Sequence, residues 1–492
     1  MPRLRMSRST AALGVALAGA AVVAGMAATR ARRTTLRPVV GTGVLARNAR
    51  LAGLGARTGT GYALHRARRR FTSAERREEL DQEHEIRTAE QVAATLGNMK
   101  GALMKLGQML SYLDEGMPEH LRAALAQLQH DAPPMSAELA ASMIEQELGR
   151  HPDELFEEWD PVPIASASIG QVHRAITREG VPVAVKVQYP GVAAAIEADL
   201  GSIGIVFGGL GQIFPGLDSG PLVAELRLRL REELDYLREA RHQQQFADYY
   251  AAHPFIHVPS VLPAYSSARV LTSELATGAR FAELESWSQE ERNLAAEAIF
   301  RFVFGSLYRL RLFNGDPHPG NYLFEPGGRV TFLDFGLVTP FGDAEMVTLR
   351  ALIESIVLRP DPAAFRRAVE TAGFLKPGAP VTDAEVVDYF GHFYEYLQED
   401  RASTLDHEFA SENVRRVFDA TGPYREIMRY ANVPRAFVVV QRINLGLFAV
   451  LASLGATANW RRLAEELWPW VQGPASTPLG ELEQAWRTRH GR

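Results

Sequence analysis

Apolar residues recur at Val92, Leu96, Met99, Leu103, Leu106 and Leu110, in alternating steps of four and three, which predicts an amphipathic helix within residues 81–113. At about 100° per residue, Gly101, Lys105, Gln108 and Tyr112 fall together on its opposite face. Further helices are predicted over 119–149, around the break at Pro133 and Pro134. The pattern then changes. Between 164 and 188, short β-branched runs at 172–176 and 181–187 flank the turn Arg178-Glu179-Gly180, which reads as an antiparallel strand unit. Residues 222–250 are predicted as one helix with Leu226, Leu230, Leu234 and Leu237 on a single stripe. Strands are expected at 258–262 and 269–273, and helix almost everywhere after them except 322–324 and 330–333. The class is therefore α+β, with a small β-rich lobe preceding a larger helical lobe.

At 492 residues the chain has room for several structural units, and 46% hydrophobic with 23% charged residues is an ordinary globular balance. Two terminal stretches stand apart from the lobes. Residues 9–29 are uncharged, rich in Ala, Val and Gly, and bounded by arginines; they predict a membrane anchor, with a cleaved signal peptide or a segment lying at the membrane interface as the competing readings. More basic residues follow this segment than precede it, which places the body of an anchored protein on the cytoplasmic side. Residues 35–80 read as a basic linker. Residues 436–456 are long enough to span a bilayer, but Gln441, Arg442 and Asn444 interrupt them, so a buried core helix is expected. The Trp468-Pro469-Trp470 cluster is read as local packing.

The formal charge of -5, from 53 basic and 58 acidic residues, disfavours a dedicated nucleic-acid binder. With no cysteine, disulfides, thiolate metal sites and cysteine nucleophiles are excluded. Lys stands only at Lys100, Lys105, Lys186 and Lys376, every other basic residue being Arg. Either chance or a need for a compact ammonium at a tight phosphate or carboxylate contact accounts for these lysines, of which Lys105 and Lys186 recur below.

The segment Phe313-Asn-Gly-Asp-Pro-His-Pro-Gly-Asn321 separates Asp316 from Asn321 by four residues, and a strand ending in Asp334-Phe335-Gly336 follows. This spacing can set a carboxylate at an acceptor hydroxyl and give a metal ion an amide oxygen from Asn321 and a carboxylate from Asp334. A loop-capping Asp with a turn Asn would explain the first pair alone; the second motif argues against that. Lys186, in Val183-Ala-Val-Lys-Val187, occupies a strand suited to reaching nucleotide phosphates, with Glu239 chosen as its ion-pair partner. Glu239 and Asp235 share the helix face opposite the leucine stripe, whereas Glu233 lies close to the stripe and is expected to be partly buried. No G-x-G-x-x-G precedes the lysine. The small residues Ala165, Ser166, Ala167, Ser168, Ile169 and Gly170 stand in its place and still permit close backbone approach to phosphates.

Taken in order, Lys105-Leu-Gly-Gln108, the loop from Ala165 to Gln171, Val-Ala-Val-Lys186, Glu233-Leu-Asp235 with Glu239, Asp316 to Asn321 and Asp334-Phe-Gly336 resemble the UbiB/AarF type of atypical kinases over residues 85–345. The resemblance implies a bilobal protein-kinase-like fold. Its expected parts are a helical extension with the KxGQ motif at 81–160, an N-lobe at 161–276 and a helical C-lobe at 277–492, after the anchor at 1–34. It implies ATP and Mg²⁺ as cofactors, held by the 165–170 loop, Lys186, Glu239, Glu274 and Gln108, with Asn321 and Asp334 on the metal and Asp316 as the catalytic carboxylate. Lys105 would pair with Glu233 or Asp235. The implied setting is a membrane, with a prenyl-lipid or quinone precursor and a quinone-biosynthesis complex as partners. Asn314 departs from the pattern, standing where many members have His. Two other readings stay open: a small-molecule phosphotransferase of the aminoglycoside or choline type, and an ATP-gated scaffold without turnover.

Overall fold

A computed structural model describes residues 135–167, 169–193, 231–410, 412, 424–431 and 446–492. Its first helix, α1 (Ala137–Leu148), starts on the Ser136 side chain, which accepts from the Leu139 N–H, and ends at Gly149 in the left-handed region, φ 76°. An antiparallel sheet follows, built from β1 (Phe156–Trp159), β2 (Ala165–Ser166), β3 (Gly170–Thr177), β4 (Pro182–Gln188) and β6 (Val270–Glu274). Its order is β1-β3-β4-β6, with β2 pairing on β3. Strict alternation in Val183-Ala-Val-Lys-Val187 puts Val183, Val185 and Val187 on one face and Ala184 and Lys186 on the other. The valine face packs on Ala140, Met143 and Ile144 of α1, so a helix within the stretch assigned to the extension covers the back of this sheet.

The expected continuous helix over 222–250 is broken. Residues 231–233 are helical, the chain turns at Leu234 and Asp235, and α2 (Tyr236–Tyr249) begins afresh. The groups freed by the break are satisfied elsewhere: the Leu234 carbonyl accepts from the Gln188 side chain at 2.8 Å, and the Tyr236 N–H donates to the Ala268 carbonyl at 3.2 Å. Asp235 caps the new helix, its side chain accepting from the Leu237 and Arg238 N–H groups at 3.1 Å each. The restart re-registers the helix. Leu237, expected on the buried stripe, is 42% exposed, while Tyr236, Glu239, Ala240, Gln243, Phe246 and Ala247 are buried.

The expected strand at 258–262 is also replaced. The ladder there reduces to a bridge between Val261 and Ser273, because Pro259 and Pro263 have no N–H to offer. The strand formed instead, β5 (Ile256–His257), runs parallel to β9 (Arg329–Phe332), which pairs with β8 (Tyr322–Glu325). Around this small sheet lie α3 (Gln289–Gly305), α4 (Asp343–Ile353), α5 (Pro362–Thr371), α6 (Asp383–Phe390), α7 (Trp460–Leu467) and α8 (Pro478–His490). A short pair, β7 (Leu312–Asn314) with β10 (Val338–Pro340), was not foreseen and brackets the catalytic-loop and Asp-Phe-Gly segments. Residues 446–453 are helical, with Leu447, Phe448, Val450, Leu451 and Ala452 buried, as a core helix requires. Trp468 is buried and stacks with Trp470, so that cluster is local packing. Among the described residues no helix is long and apolar enough to cross a membrane. The segment expected to anchor the chain, at 9–29, lies outside them, as do Lys105, Gln108 and Ser168.

Candidate active site

Three elements converge on one ammonium group. Lys186, on β4, donates from Nζ to Glu239 Oε1 on α2 at 2.7 Å, and the same Nζ lies 3.6 Å from Asp334 Oδ2. The Tyr236 ring lies beneath it, 5.1 Å from Nζ to the ring centre. The Lys186 side chain is 18% exposed and Glu239 only 4%, against 30% for Asp334, so the pair opens toward solvent on the aspartate side. Burial pushes the lysine down, but the charges of Asp334 and Glu239 more than reverse this and hold it well above its ordinary value. Burial pushes the Glu239 carboxyl up to about 7, against the opposing pull of Lys186. Glu233 is buried, as expected, and its charge adds to the upward push on Glu239. Asp235 is engaged as the α2 cap.

The Asp-Phe-Gly turn is fixed from both ends. Asp334 Oδ1 accepts the Gly336 N–H at 2.9 Å, and fully buried Phe335 packs against Phe246 of α2, ring centres 5.0 Å apart. A side chain at 336 would meet Asp334 Oδ1 at 3.3 Å, which favours glycine there. Across from the turn, the Asn314 side-chain amide donates to the Asp334 carbonyl at 2.8 Å, and its own Oδ1 accepts the Asp316 N–H at 3.3 Å. The residue that departs from the family pattern is thus the tie between the two motifs, a role its position next to Asp316 did not reveal.

Asp316 and Asn321 are brought together as the spacing predicts. Asn321 Nδ2 donates to the Asp316 carbonyl at 3.1 Å and lies 3.4 Å from Asp316 Oδ2. The Leu333 N–H donates to the Asn321 carbonyl at 3.0 Å, which carries Asn321 alongside the approach to Asp334. With Nδ2 turned to Asp316, Oδ1 is the atom Asn321 can offer a cation. One amide oxygen and one carboxylate are a donor set suited to Mg²⁺, which keeps most of its shell as water and phosphate oxygen. Among the described residues there is no cluster of three His, Asp or Glu side chains that would make a dedicated protein cage for a metal.

The small-residue loop divides into two parts. Ala165 and Ser166 are exposed on β2, whereas Ile169 is buried and Gly170 is already the first residue of β3. The Tyr189 N–H donates to the Ile169 carbonyl at 2.9 Å, closing the loop against the end of β4. Ala165, Val172, Lys186 and Leu271 form one row across four strands, so the loop's first residue and the lysine share a sheet face. Glu274 does not join them. It pairs with Val183, which places it on the opposite face, and its carboxylate lies 3.6 Å from His257 Nε2. Only its backbone is positioned at the end of the lysine-bearing sheet.

A charged strand lysine clamped by a helix glutamate, an Asp-Phe-Gly carboxylate and an Asp-x4-Asn loop define a protein-kinase-like protein. The comparisons agree. Residues 127–366 match the ABC1 atypical kinase-like domain. The atypical kinase COQ8 of Saccharomyces cerevisiae is 31% identical over 283 residues, 57% of this chain and 56% of that protein. The atypical kinase COQ8B of Rattus norvegicus is 34% identical over 256 residues, 52% and 48% of the two chains. The chain thus spans about half the length of these curated relatives. The solved complex of Rv3197 with erythromycin from Mycobacterium tuberculosis aligns with a TM-score of 0.57 at 32% identity, covering 81% of this chain and all of that one. The chain belongs to the ABC1, or UbiB/AarF-type, atypical kinase-like family.

Proposed function

We propose that the protein binds Mg-ATP in the cleft around Lys186 and acts as an ATPase or small-molecule phosphotransferase in isoprenoid quinone or related prenyl-lipid metabolism at a membrane, with its catalytic body cytoplasmic. The observation that carries the nucleotide reading is the Lys186 ammonium held between Glu239 at 2.7 Å and Asp334 at 3.6 Å. Bound ATP would supply the transferable phosphoryl group, and Mg²⁺ the charge that neutralises it as it moves. Lys186 presents a fixed positive charge to phosphate oxygens, and Glu239 keeps it from collapsing onto Asp334. Asn321 Oδ1 and Asp334 offer the metal its two protein oxygens. Asp316, steadied by Asn321, orients a hydroxyl or water and accepts its proton. The quinone and membrane parts rest on the family resemblance and on the basic, apolar N-terminal sequence.

The test is ATP turnover by the full chain with Mg²⁺, with and without anionic liposomes and a prenylated phenol, beside Asp334→Asn. Turnover that rises with lipid and vanishes in the variant supports the reading. Tight Mg²⁺-dependent ATP binding with no turnover under any condition would replace it with an ATP-gated scaffold. Transfer to an amino-alcohol or aminoglycoside without any lipid response would replace it with a phosphotransferase of the aminoglycoside or choline type.

A further inference from the structure

Strand β3 carries two jobs on its two faces. Val172 faces the Lys186 row, while Gln171 and His173 on either side of it point to the back of the sheet and are 0% exposed. There the Gln171 side chain grips the backbone of a single residue. Its Oε1 accepts the Met135 N–H at 2.9 Å, and its Nε2 lies 3.3 Å from the Met135 carbonyl. Because Oε1 faces an N–H donor, the amide can be oriented only one way, and Nε2 then donates to His173 Nε2 at 2.8 Å. That ring nitrogen must be unprotonated, so the ring carries its hydrogen on Nδ1 and donates it to the Asp160 carbonyl at 2.9 Å. The Trp159 ring stacks on the imidazole, centres 4.6 Å apart, and burial holds the histidine below its ordinary value, in keeping with a neutral ring.

The chain of bonds Met135, Gln171, His173, Asp160 therefore runs in one direction and joins two segments. Met135 immediately precedes Ser136, whose side chain caps α1. Asp160 opens the connection into the 165–170 loop, and Gln171 sits directly opposite Ser166 of that loop. We infer that Gln171, with His173 behind it, is a positioning residue that couples the start of α1 to the nucleotide loop: the α1 cap and the strand backing the loop move as one piece. The coupling rests on the cleft holding Mg-ATP; the clamp itself does not.

Hydrogen–deuterium exchange on the full chain separates the two. In wild type the Met135 amide is protected without nucleotide, and Mg-ATP slows it further together with the amides of Ala167 and Gly170. In Gln171→Leu the Met135 amide exchanges at least tenfold faster and no longer responds to Mg-ATP, while β4 and β6 amides stay protected. Unchanged exchange at Met135 in that variant overturns the clamp. Equal Mg-ATP protection of Met135 in both proteins overturns the coupling. If Gln171→Leu does not fold, Gln171→Met serves: it is of similar length, lacks the amide acceptor and both donors, and should exchange several-fold faster at Met135, whereas a wild-type rate overturns the clamp. Wild-type protein showing no Mg-ATP protection at any amide defeats the nucleotide reading and the coupling with it, and leaves the clamp decided by the nucleotide-free comparison.

Discussion

Asn314 and Asp334 are joined by a 2.8 Å hydrogen bond from the asparagine amide to the aspartate carbonyl, across the floor of the cleft. Twenty residues separate them in sequence, and this bond sets the backbone from which the Asp334 carboxylate projects toward Lys186. Removing the amide takes a donor from a part-buried carbonyl, at a cost of about 0.5–1.5 kcal/mol. Asn314→Ala should therefore lower the melting temperature and weaken Mg²⁺-dependent nucleotide binding together. Asn314→His, which restores a donor and the residue common in the family, should recover much of both. Recovery of neither, by thermal denaturation and nucleotide titration, would mean that the tie is not what fixes Asp334.

The buried Glu239 carboxyl makes stability depend on pH. Its value is pushed up from 4.5 to about 7 by burial, ahead of the opposing pull of Lys186. An acid held higher in the folded chain takes up a proton on folding, so its contribution is full below about 4.5 and is lost as pH rises through about 7. Thermal denaturation of wild type across pH 5 to 7.5 (roughly the span of that shift) should show a falling component that Glu239→Gln lacks. An identical decline in the two proteins would assign it to other groups.

Gly170 stands where β3 begins, and a β-carbon there would lie 2.3 Å from the Val187 carbonyl oxygen and 3.0 Å from the Tyr236 hydroxyl. Both obstacles are firm, since one is strand backbone and the other a buried ring. Gly170→Ala should cost about 1–3 kcal/mol or more by overpacking. It should also push β3 off β4 beside Lys186, so that nucleotide affinity falls with stability. A variant as stable as wild type in urea denaturation would show that the strand pair has slack at this point.

The parts of this molecule that were legible in the sequence are those carried by local pattern. Alternation in Val183 to Val187 gave the strand and the face of Lys186, and the spacing of Asp316, Asn321 and Asp334 gave the loop geometry, because strand register and turn length are short-range properties. Glu239 was reachable because it and Asp235 share the helix face opposite the leucine stripe, and that face is the one α2 buries at Glu239. The break at Leu234 and Asp235 was not, since it depends on Gln188 and Ala268, distant residues that take up the freed backbone groups. The sheet face of the Glu274 side chain was hidden for a related reason: it follows from the register with Val183, which no single-strand pattern specifies. Asn314, Gln171 and His173 act through bonds to residues 13 to 36 positions away.

The same limit hid a buried charge cluster of the C-lobe core. Arg301 on α3 is 0% exposed and holds three buried carboxylates: Glu297 at 2.7 Å, Glu466 at 2.8 Å and Glu483 at 3.0 Å. Thr477, which caps α8, also accepts from its guanidinium at 3.1 Å. Gly480 is required beside it, because a β-carbon would lie 2.7 Å from Arg301 Nη2 and 2.5 Å from Glu466 Oε2. The arginine thus pins α7 and α8 to α3. Replacing it strands three acids without a cation, and breaking a buried ion pair from one side costs about 3–5 kcal/mol. Arg301→Met should lose at least that much in urea denaturation and should expose the C-terminal helix to limited proteolysis. Because the stranded carboxylates would protonate in acid, the variant should regain stability as pH is lowered, and adding Glu466→Gln and Glu483→Gln should recover part of the loss at neutral pH. If the triple variant is no more stable than Arg301→Met, the arginine acts through packing of its aliphatic stem and not through charge.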